Sequence, residues 1–349
     1  MSVRSLLIGL LALAASAVLP ASAAAAQESR SLYNQDRLAE LLYANRMALD
    51  DIPEVTYRYH VLDDPNGRNN SILARTALYQ EVGGGDARAG RERLNGMVAF
   101  LNGVFIQDLR IGDTIVLPSE IGLDPRAYSP FPRHYAGGEP FDKLFVIDKG
   151  VQAWAGYENG RLARWGLVST GAEGSETPNG RFNFNWKEEY RHSTLAPPGE
   201  TWVMRWVFNF HDTRGIHVHQ YYALPTTGAA SHGCVRLMTA DARWIYNWAD
   251  GWRTTAGDAA VGLPSMQGRV VEQGTMVLVL GEEPGGTPRR FRDVDGRPEL
   301  IRVDLPADPY AVPPGTPQQE RFDARRLAAE RRAAEAGDAP ATETAPRRP

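Results

Sequence analysis

The stretch Gln152-Ala153-Trp154-Ala155-Gly156-Tyr157-Glu158-Asn159-Gly160-Arg161-Leu162-Ala163-Arg164-Trp165-Gly166-Leu167-Val168-Ser169 decides the fold class. Its centre holds an Asn-Gly pair, the strongest short signal for a tight hairpin, because both turn positions need positive φ. The flanking arms, Gln152–Tyr157 and Leu162–Ser169, are short apolar or alternating runs suited to strands. The same texture continues outward. Leu144–Ile147 precedes the hairpin. Asn179-Gly180 marks another turn, and Arg181-Phe182-Asn183-Phe184-Asn185-Trp186 alternates after it. Trp202–Phe210, Arg214–Gln220 and Met276–Leu280 are further strand candidates. Many short strands with regular turns predict an antiparallel sandwich or barrel over residues 141–281. Within it, Thr239–Trp248 predicts one amphipathic helix, with Ala242, Ile245 and Trp248 on a single face. Trp202, Trp206 and Trp244 read as core side chains rather than sugar platforms.

The chemistry is concentrated just downstream of those strands. Ile216-His217-Val218-His219-Gln220 is followed by a loop and then by Ser231-His232-Gly233-Cys234-Val235-Arg236-Leu237. Three of the seven histidines and the only cysteine lie between positions 217 and 234. A cysteine nucleophile acts as its thiolate, and an ordinary thiol near pKa ~8.5 is mostly protonated at neutral pH. A nearby imidazole can take that proton and later return it to a leaving amine. A strand bearing His and a loop bearing Cys can meet within hydrogen-bond reach. Gly233 allows close backbone approach, and amides near Cys234 suit a developing oxyanion. Arg236 suits a substrate carboxylate, held by two parallel N–H contacts, or simply braces the helix that follows.

The run Ser231–Leu237 resembles the signature of the L,D-transpeptidase family, the YkuD-type catalytic domain. Thr177-Pro178-Asn179-Gly180 resembles that family's Thr-Pro-x-Gly turn, and the Trp202–Trp206 and Thr275–Leu280 strands fit as well. The resemblance spans Phe141 to Gly281. It implies a mostly β catalytic domain whose Cys234 attacks the carbonyl of the third residue of a peptidoglycan tetrapeptide stem. The terminal D-Ala would leave, and the acyl group would pass to an amine. A second stem, a D-amino acid or a lipoprotein lysine are the possible acceptors; water would give carboxypeptidase or endopeptidase activity. The family's upstream histidine usually follows a short apolar strand. His219, preceded by Val218, suits that pattern, but His217 also follows an apolar residue, and the two share a strand face. The reading favours His219 as general base, with His217 orienting it or touching substrate. His232 would shape the pocket, and Ser231 would hydrogen-bond within the loop. The chemistry requires no metal and no organic cofactor.

The rest of the chain bounds the setting. Residues 1–26 have one early positive charge, an apolar run over Leu6–Leu19, and small-x-small residues at Ala21-Ser22-Ala23 and Ala24-Ala25-Ala26. This is the pattern of a secretory signal peptide, and the run is short for a membrane span, which takes about 20 residues. A bacterial periplasm and a mature start near Ala24–Gln27 are expected, with no membrane span after cleavage. Residues 27–140 read as a smaller α+β accessory region, with helices over Arg37–Met47 and Leu94–Leu101. Leu109–Pro118 reads as a turn and strand, and the phrase resembles the closing turn of a LysM-like glycan-binding module, placed near 94–118. Residues 282–349 are rich in proline and charge, which predicts a largely disordered tail. The chain of 349 residues has a formal net charge of -4, which gives no attraction to nucleic acid or anionic lipid. A single cysteine excludes an internal disulfide and a multi-cysteine metal site.

Two rival classes compete with this reading. A zinc hydrolase could use His217, His219, His232 and Cys234, although His232-Gly233-Cys234 is tight for two ligands of one ion. A non-catalytic peptidoglycan-binding protein would not need the intact His and Cys.

Overall fold

The computed structural model describes residues 35–337, apart from 95, 223, 225–227, 256–267 and 287. The expected signal segment therefore lies outside the described residues. Helix α1 spans Gln35–Leu42 and ends earlier than the expected Arg37–Met47. Strand β1 (Tyr57–Val61) and strand β2 (Thr114–Pro118) pair antiparallel. Between them lie α2 (Ser71–Val82), α3 (Ala87–Leu94) and α4 (Met97–Asn102). Helix α2 escaped the sequence reading because its apolar residues do not form one stripe. Its start is marked by Asn70, whose side chain accepts from the amides of Ile72 and Leu73. The single helix expected over Leu94–Leu101 is instead the end of α3 and most of α4. Gly96 parts them with a φ of 87°, which an L side chain rarely adopts. Leu62, Leu78, Leu94, Val98, Ile115 and Leu117 close a small core inside this unit, and the LysM-like phrase forms its β2 edge.

The strands that follow are β3 (Leu144–Asp148), β4 (Ala153–Glu158), β5 (Arg161–Ser169), β6 (Gly180–Asn183), β7 (Trp186–His192), β8 (Val203–His211), β9 (Ile216–Gln220) and β10 (Val235–Leu237). Helix α5 covers Thr239–Trp248, as expected. Strands β11 (Arg253–Thr254) and β12 (Val270–Glu272) form a short side ladder, and β13 is Met276–Leu280. One nine-stranded sheet runs β6-β13-β3-β4-β5-β10-β9-β8-β7. The β4–β5 turn is the Asn-Gly turn read from the sequence, with φ of 47° at Asn159 and 72° at Gly160. The two ends of the sheet are consecutive in the chain. Phe184 still donates its amide to Thr275 beside β13, whereas Asn185 donates to Asn209 on β8. The sheet therefore curls until one continuous segment serves both edges.

The sheet is mixed rather than purely antiparallel, because β13–β3 and β10–β9 are parallel pairs. Alternation assigns its two faces. Phe145, Ile147, Trp154, Val168, Val218, Val235, Leu237 and Val277 point inward with Ala242, Ile245 and Trp248 of α5. Leu144, Val146, Ala155, Tyr157, Trp165 and Leu278 point outward, yet they are also buried, against Leu49, Phe100, Tyr128 and Phe131. Burial on both faces explains why β3 and β13 read as unbroken apolar runs.

The segment expected to be a solvated tail from 282 begins with structure. Strands β14 (Phe291–Val294) and β15 (Arg297–Leu300) form a hairpin around Asp295-Gly296. Val303 and Val312 then join the outer core. Helix α6 (Pro317–Gly337) docks by its first turns: Gln318 donates to Asn185, Gln319 to Asn183, and Arg181 of β6 pairs with Asp323. The contacts are polar side chains meeting a polar strip of sheet, which a count of apolar residues does not register. Residues 338–349 lie outside the described residues. Among the described residues, no helix is long and apolar enough to cross a membrane. At the other end, Gln35 donates to the carbonyls of Tyr221 and Leu224 and accepts from the Thr239 amide and hydroxyl. It thus ties α1 to the loop after β9 and to the start of α5.

Candidate active site

The site follows from the parallel pairing of β9 and β10. Parallel neighbours cannot be joined by a tight turn, so the chain must cross from the far end of one strand to the near end of the next. The crossing ends on Ser231, His232, Gly233 and Cys234, which lead into the start of β10. The register sets Val235 against Val218 and Arg236 against His219. One step back, Cys234 lies level with His217. With Val218, Val235 and Leu237 in the inner core, alternation sends His217, His219, Cys234 and Arg236 to the opposite face.

Cys234 Sγ is 3.9 Å from His217 Nδ1. The sequence favoured the other histidine, but His219 Nδ1 meets the Gln220 carbonyl at 2.8 Å. The imidazole that faces the thiol is therefore His217. It is 4% exposed, and the edge of the Trp186 ring meets it with centroids 5.1 Å apart. Its Nε2 is buried without a hydrogen-bond partner among the described residues. Packing, rather than a third hydrogen-bonding group, holds this ring. If Nδ1 accepts from the thiol, the proton on Nε2 is left unpaired, a costly arrangement.

Burial sets the resting charges. It draws the His217 imidazole down to about 3 and the His219 imidazole to about 4, with the Arg191 and Arg236 charges respectively adding to the effect. Burial also pushes the Cys234 thiol up, against the opposing pull of a His217 backbone hydrogen bond and of the Arg236 and Arg191 charges. The resting pair is accordingly a neutral thiol beside a neutral imidazole.

The loop around the thiol is closely braced. Ser231 Oγ donates to the Cys234 carbonyl at 2.5 Å and accepts from the Gly233 amide at 3.0 Å. The Gly233 amide is thus already engaged. Gly233 has a φ of 110°, a conformation that favours glycine. Thr177, in the Thr-Pro-x-Gly turn, donates to the Gly233 carbonyl at 2.8 Å and accepts from the Gly171 amide at 3.0 Å. Lys149 Nζ in turn donates to the Thr177 carbonyl and lies 3.7 Å from Glu283. His232 is exposed and stacks with Trp202, so Trp202 belongs to the rim of the site and not to the core. Arg236 donates to the Ala230 carbonyl and lies over the Tyr221 ring. Among the described residues, no group of three or more His, Cys, Asp or Glu is arranged to hold a metal ion.

Residues 142–279 match the family model described as YkuD, the L,D-transpeptidase catalytic domain. That segment of the chain is similar to the L,D-transpeptidase catalytic domain. No curated protein matches the chain. Among solved structures, it is similar to an L,D-transpeptidase from Mycobacterium smegmatis, at 19% identity and a TM-score of 0.31, over 40% of this chain and 58% of that one. It is similar to an L,D-transpeptidase from Stackebrandtia nassauensis, at 23% identity and a TM-score of 0.31, over 41% of this chain and 58% of that one. The catalytic domain of the E. faecium L,D-transpeptidase matches at 21% identity and a TM-score of 0.28, over 40% of this chain and 97% of that one. The chain thus spans 58% of the length of the first two.

Sequence reasoning missed three residues that support the His217–Cys234 pair, two of them beside it and one through the Thr177 turn. Arg191 and Trp186 lie on β7, far from the motif in the chain. Arg191 packs over the Trp186 ring at 5.0 Å and pairs with Glu188 at 2.9 Å. The pairing of β7 with β8 and of β8 with β9 sets Trp186 in one cross-strand row with His217, through Asn209. Lys149 sits just past β3 with no local motif to flag it.

Proposed function

We propose that the protein is a peptidoglycan L,D-transpeptidase working through a Cys234 acyl-enzyme, with His217 as the proton acceptor. The observation that carries this reading is the 3.9 Å approach of Cys234 Sγ to His217 Nδ1 within the family-matched segment. In the first step Sγ attacks the carbonyl of the third residue of a tetrapeptide stem, and the thiol proton passes to Nδ1. Collapse of the tetrahedral species breaks the peptide bond, and Nδ1 returns that proton to the departing D-Ala amine. In the second step an acceptor amine attacks the thioester and gives its proton to Nδ1. Sγ leaves and takes the proton back. Both neighbouring guanidiniums favour the thiolate as it forms, and Arg236 suits a stem carboxylate. His232 and Trp202 provide a stacked rim for substrate. Export to a bacterial periplasm, by the signal pattern of residues 1–26, fits this substrate.

Incubation with a disaccharide-tetrapeptide followed by intact-mass analysis tests the proposal. A mass increase by the acyl group with loss of D-Ala is expected, and none with Cys234→Ala. Full peptidoglycan-modifying activity in Cys234→Ala would refute the nucleophile. Loss of activity on chelation, with no effect of thiol alkylation, would support a zinc hydrolase instead. The product released from the adduct identifies the acceptor, since an amine and water diverge only at that step.

A further inference from the structure

Just past β13, Glu283 stands where two supports of the motif loop meet. It lies outside the family-matched segment, which ends at residue 279. Its side chain is 13% exposed. Oε2 accepts from the Thr170 hydroxyl at 2.6 Å and from the Gln152 side-chain amide at 3.3 Å. Gln152 also donates to that hydroxyl and accepts from the Thr170 amide, which closes a buried ring of hydrogen bonds. Burial raises the Glu283 carboxyl pKa, and the Thr170 hydroxyl and the Lys149 charge oppose that rise. The carbonyl of the same Thr170 accepts from the Ala230 and Ser231 amides. One support therefore runs from Glu283 through Thr170 to the start of the Ser231–Cys234 run.

The second support runs through Lys149. Glu283 Oε1 lies 3.7 Å from Lys149 Nζ, and that ammonium donates to the Thr177 carbonyl at 3.0 Å. Thr177 Oγ1 then donates to the carbonyl of Gly233, the neighbour of Cys234. Lys149 is buried, and among the described residues no other carboxylate pairs with it. A buried ammonium stripped of its carboxylate is strongly disfavoured, so loss of the Glu283 charge drives Nζ toward water and away from Thr177. The loop has little slack to absorb that, since Ser231 Oγ already bonds the Gly233 amide and the Cys234 carbonyl.

We propose that Glu283 is a positioning residue: one carboxylate, reaching Thr170 and Lys149 together, sets where Cys234 stands relative to His217. It acts through those two side chains and not on the reacting atoms. The consequence for acylation rests on the function proposed above; the effect on the loop does not.

The test compares Glu283→Gln with the double variant Glu283→Gln, Lys149→Met, each in the full chain. The single change leaves a buried ammonium unpaired. The double change removes both charges, and with them the donor to Thr177. Circular dichroism gives the thermal midpoint. Mass measurements with a disaccharide-tetrapeptide give the saturating rate and the half-saturating concentration of acyl-adduct formation. Iodoacetamide at fixed pH gives the alkylation rate of Cys234. Glu283→Gln should lower the midpoint and cut the saturating rate about tenfold, with the half-saturating concentration within about twofold of native. The double variant should recover the midpoint, because no charge is left buried alone, yet stay about tenfold slow. A charge pair that only stabilises the fold would recover both together. Alkylation should rise at least about threefold in both variants, because a loosened loop exposes the thiol. A native saturating rate in either variant, recovery of the rate along with the midpoint, a loss carried by the half-saturating concentration, or native alkylation in both would overturn the inference. If Glu283→Gln fails to fold, the double variant decides. If the native chain forms no stem adduct, the proposed function falls, and alkylation alone decides whether Glu283 sets the loop.

Discussion

His217 and Cys234 are held close together in an environment that keeps both uncharged at rest. In the proposed mechanism, proton transfer is then part of the attack, rather than a standing thiolate that waits for substrate. The signs follow directly. A raised thiol pKa means that the thiolate fraction at neutral pH is below that of a free cysteine and still grows above pH ~8.5. Alkylation of the unliganded protein by iodoacetamide should therefore keep accelerating through pH 9, with no plateau near neutrality. An imidazole drawn down to about 3 adds no inflection near pH 6.5; such an inflection in the alkylation profile would contradict this account. The two histidines should separate clearly. His217→Gln should slow acyl-adduct formation by about 100-fold or more, the ordinary scale of general-base loss. His219→Gln should slow it by less than about tenfold, because its Nδ1 is committed to the Gln220 carbonyl. Equal losses in stopped-flow mass measurements would return the base to His219.

The crossover from β9 to β10 decides which histidine meets the thiol, and that decision was not legible in the sequence. Residue spacing alone leaves His217 and His219 on one face, since strand period two cannot tell them apart. Only the parallel register, Arg236 against His219, sets Cys234 beside His217. The hairpin at Asn159-Gly160 was legible because both turn residues carry their conformational demand locally. Helix α5 was legible because its buried face repeats at helical spacing. Helix α6 was not, since its docking depends on Arg181, a 2% exposed guanidinium more than a hundred residues earlier in the chain. Asp323→Ala should leave that guanidinium buried and unpaired, at a cost on the order of 2–3 kcal/mol, less than for a fully buried pair because Asp323 keeps some exposure. Denaturant unfolding followed by circular dichroism should show a lower midpoint, and an unchanged midpoint would mean that the helix is not bound there in solution.

Across the whole molecule, the segments outside the family-matched region are packed onto it rather than appended to it. Leu144, Val146 and Leu278 bury their outer face against the N-terminal helices and against Val303 and Val312. The composition after residue 281 suggests solvation, yet the segment supplies outer core, a brace on Lys149 through Glu283, and the cap over β6. A chain ending at Gly281 should therefore melt at a lower temperature, bind hydrophobic dye, and acylate more slowly because Thr177 loses part of its support. A truncated chain with native melting and native acylation would show that these segments are dispensable. Gln35 adds a constraint of another kind. Two hydrogen bonds from this one amide hold the loop that leads to Cys234, and two more tie it to Thr239 at the start of α5. Removal of the chain up to and including Gln35 should therefore free that loop at one end, while a cut before Gln35 should leave it held. Gln35 thus marks how far the amino end can be shortened before the loop loses its anchor.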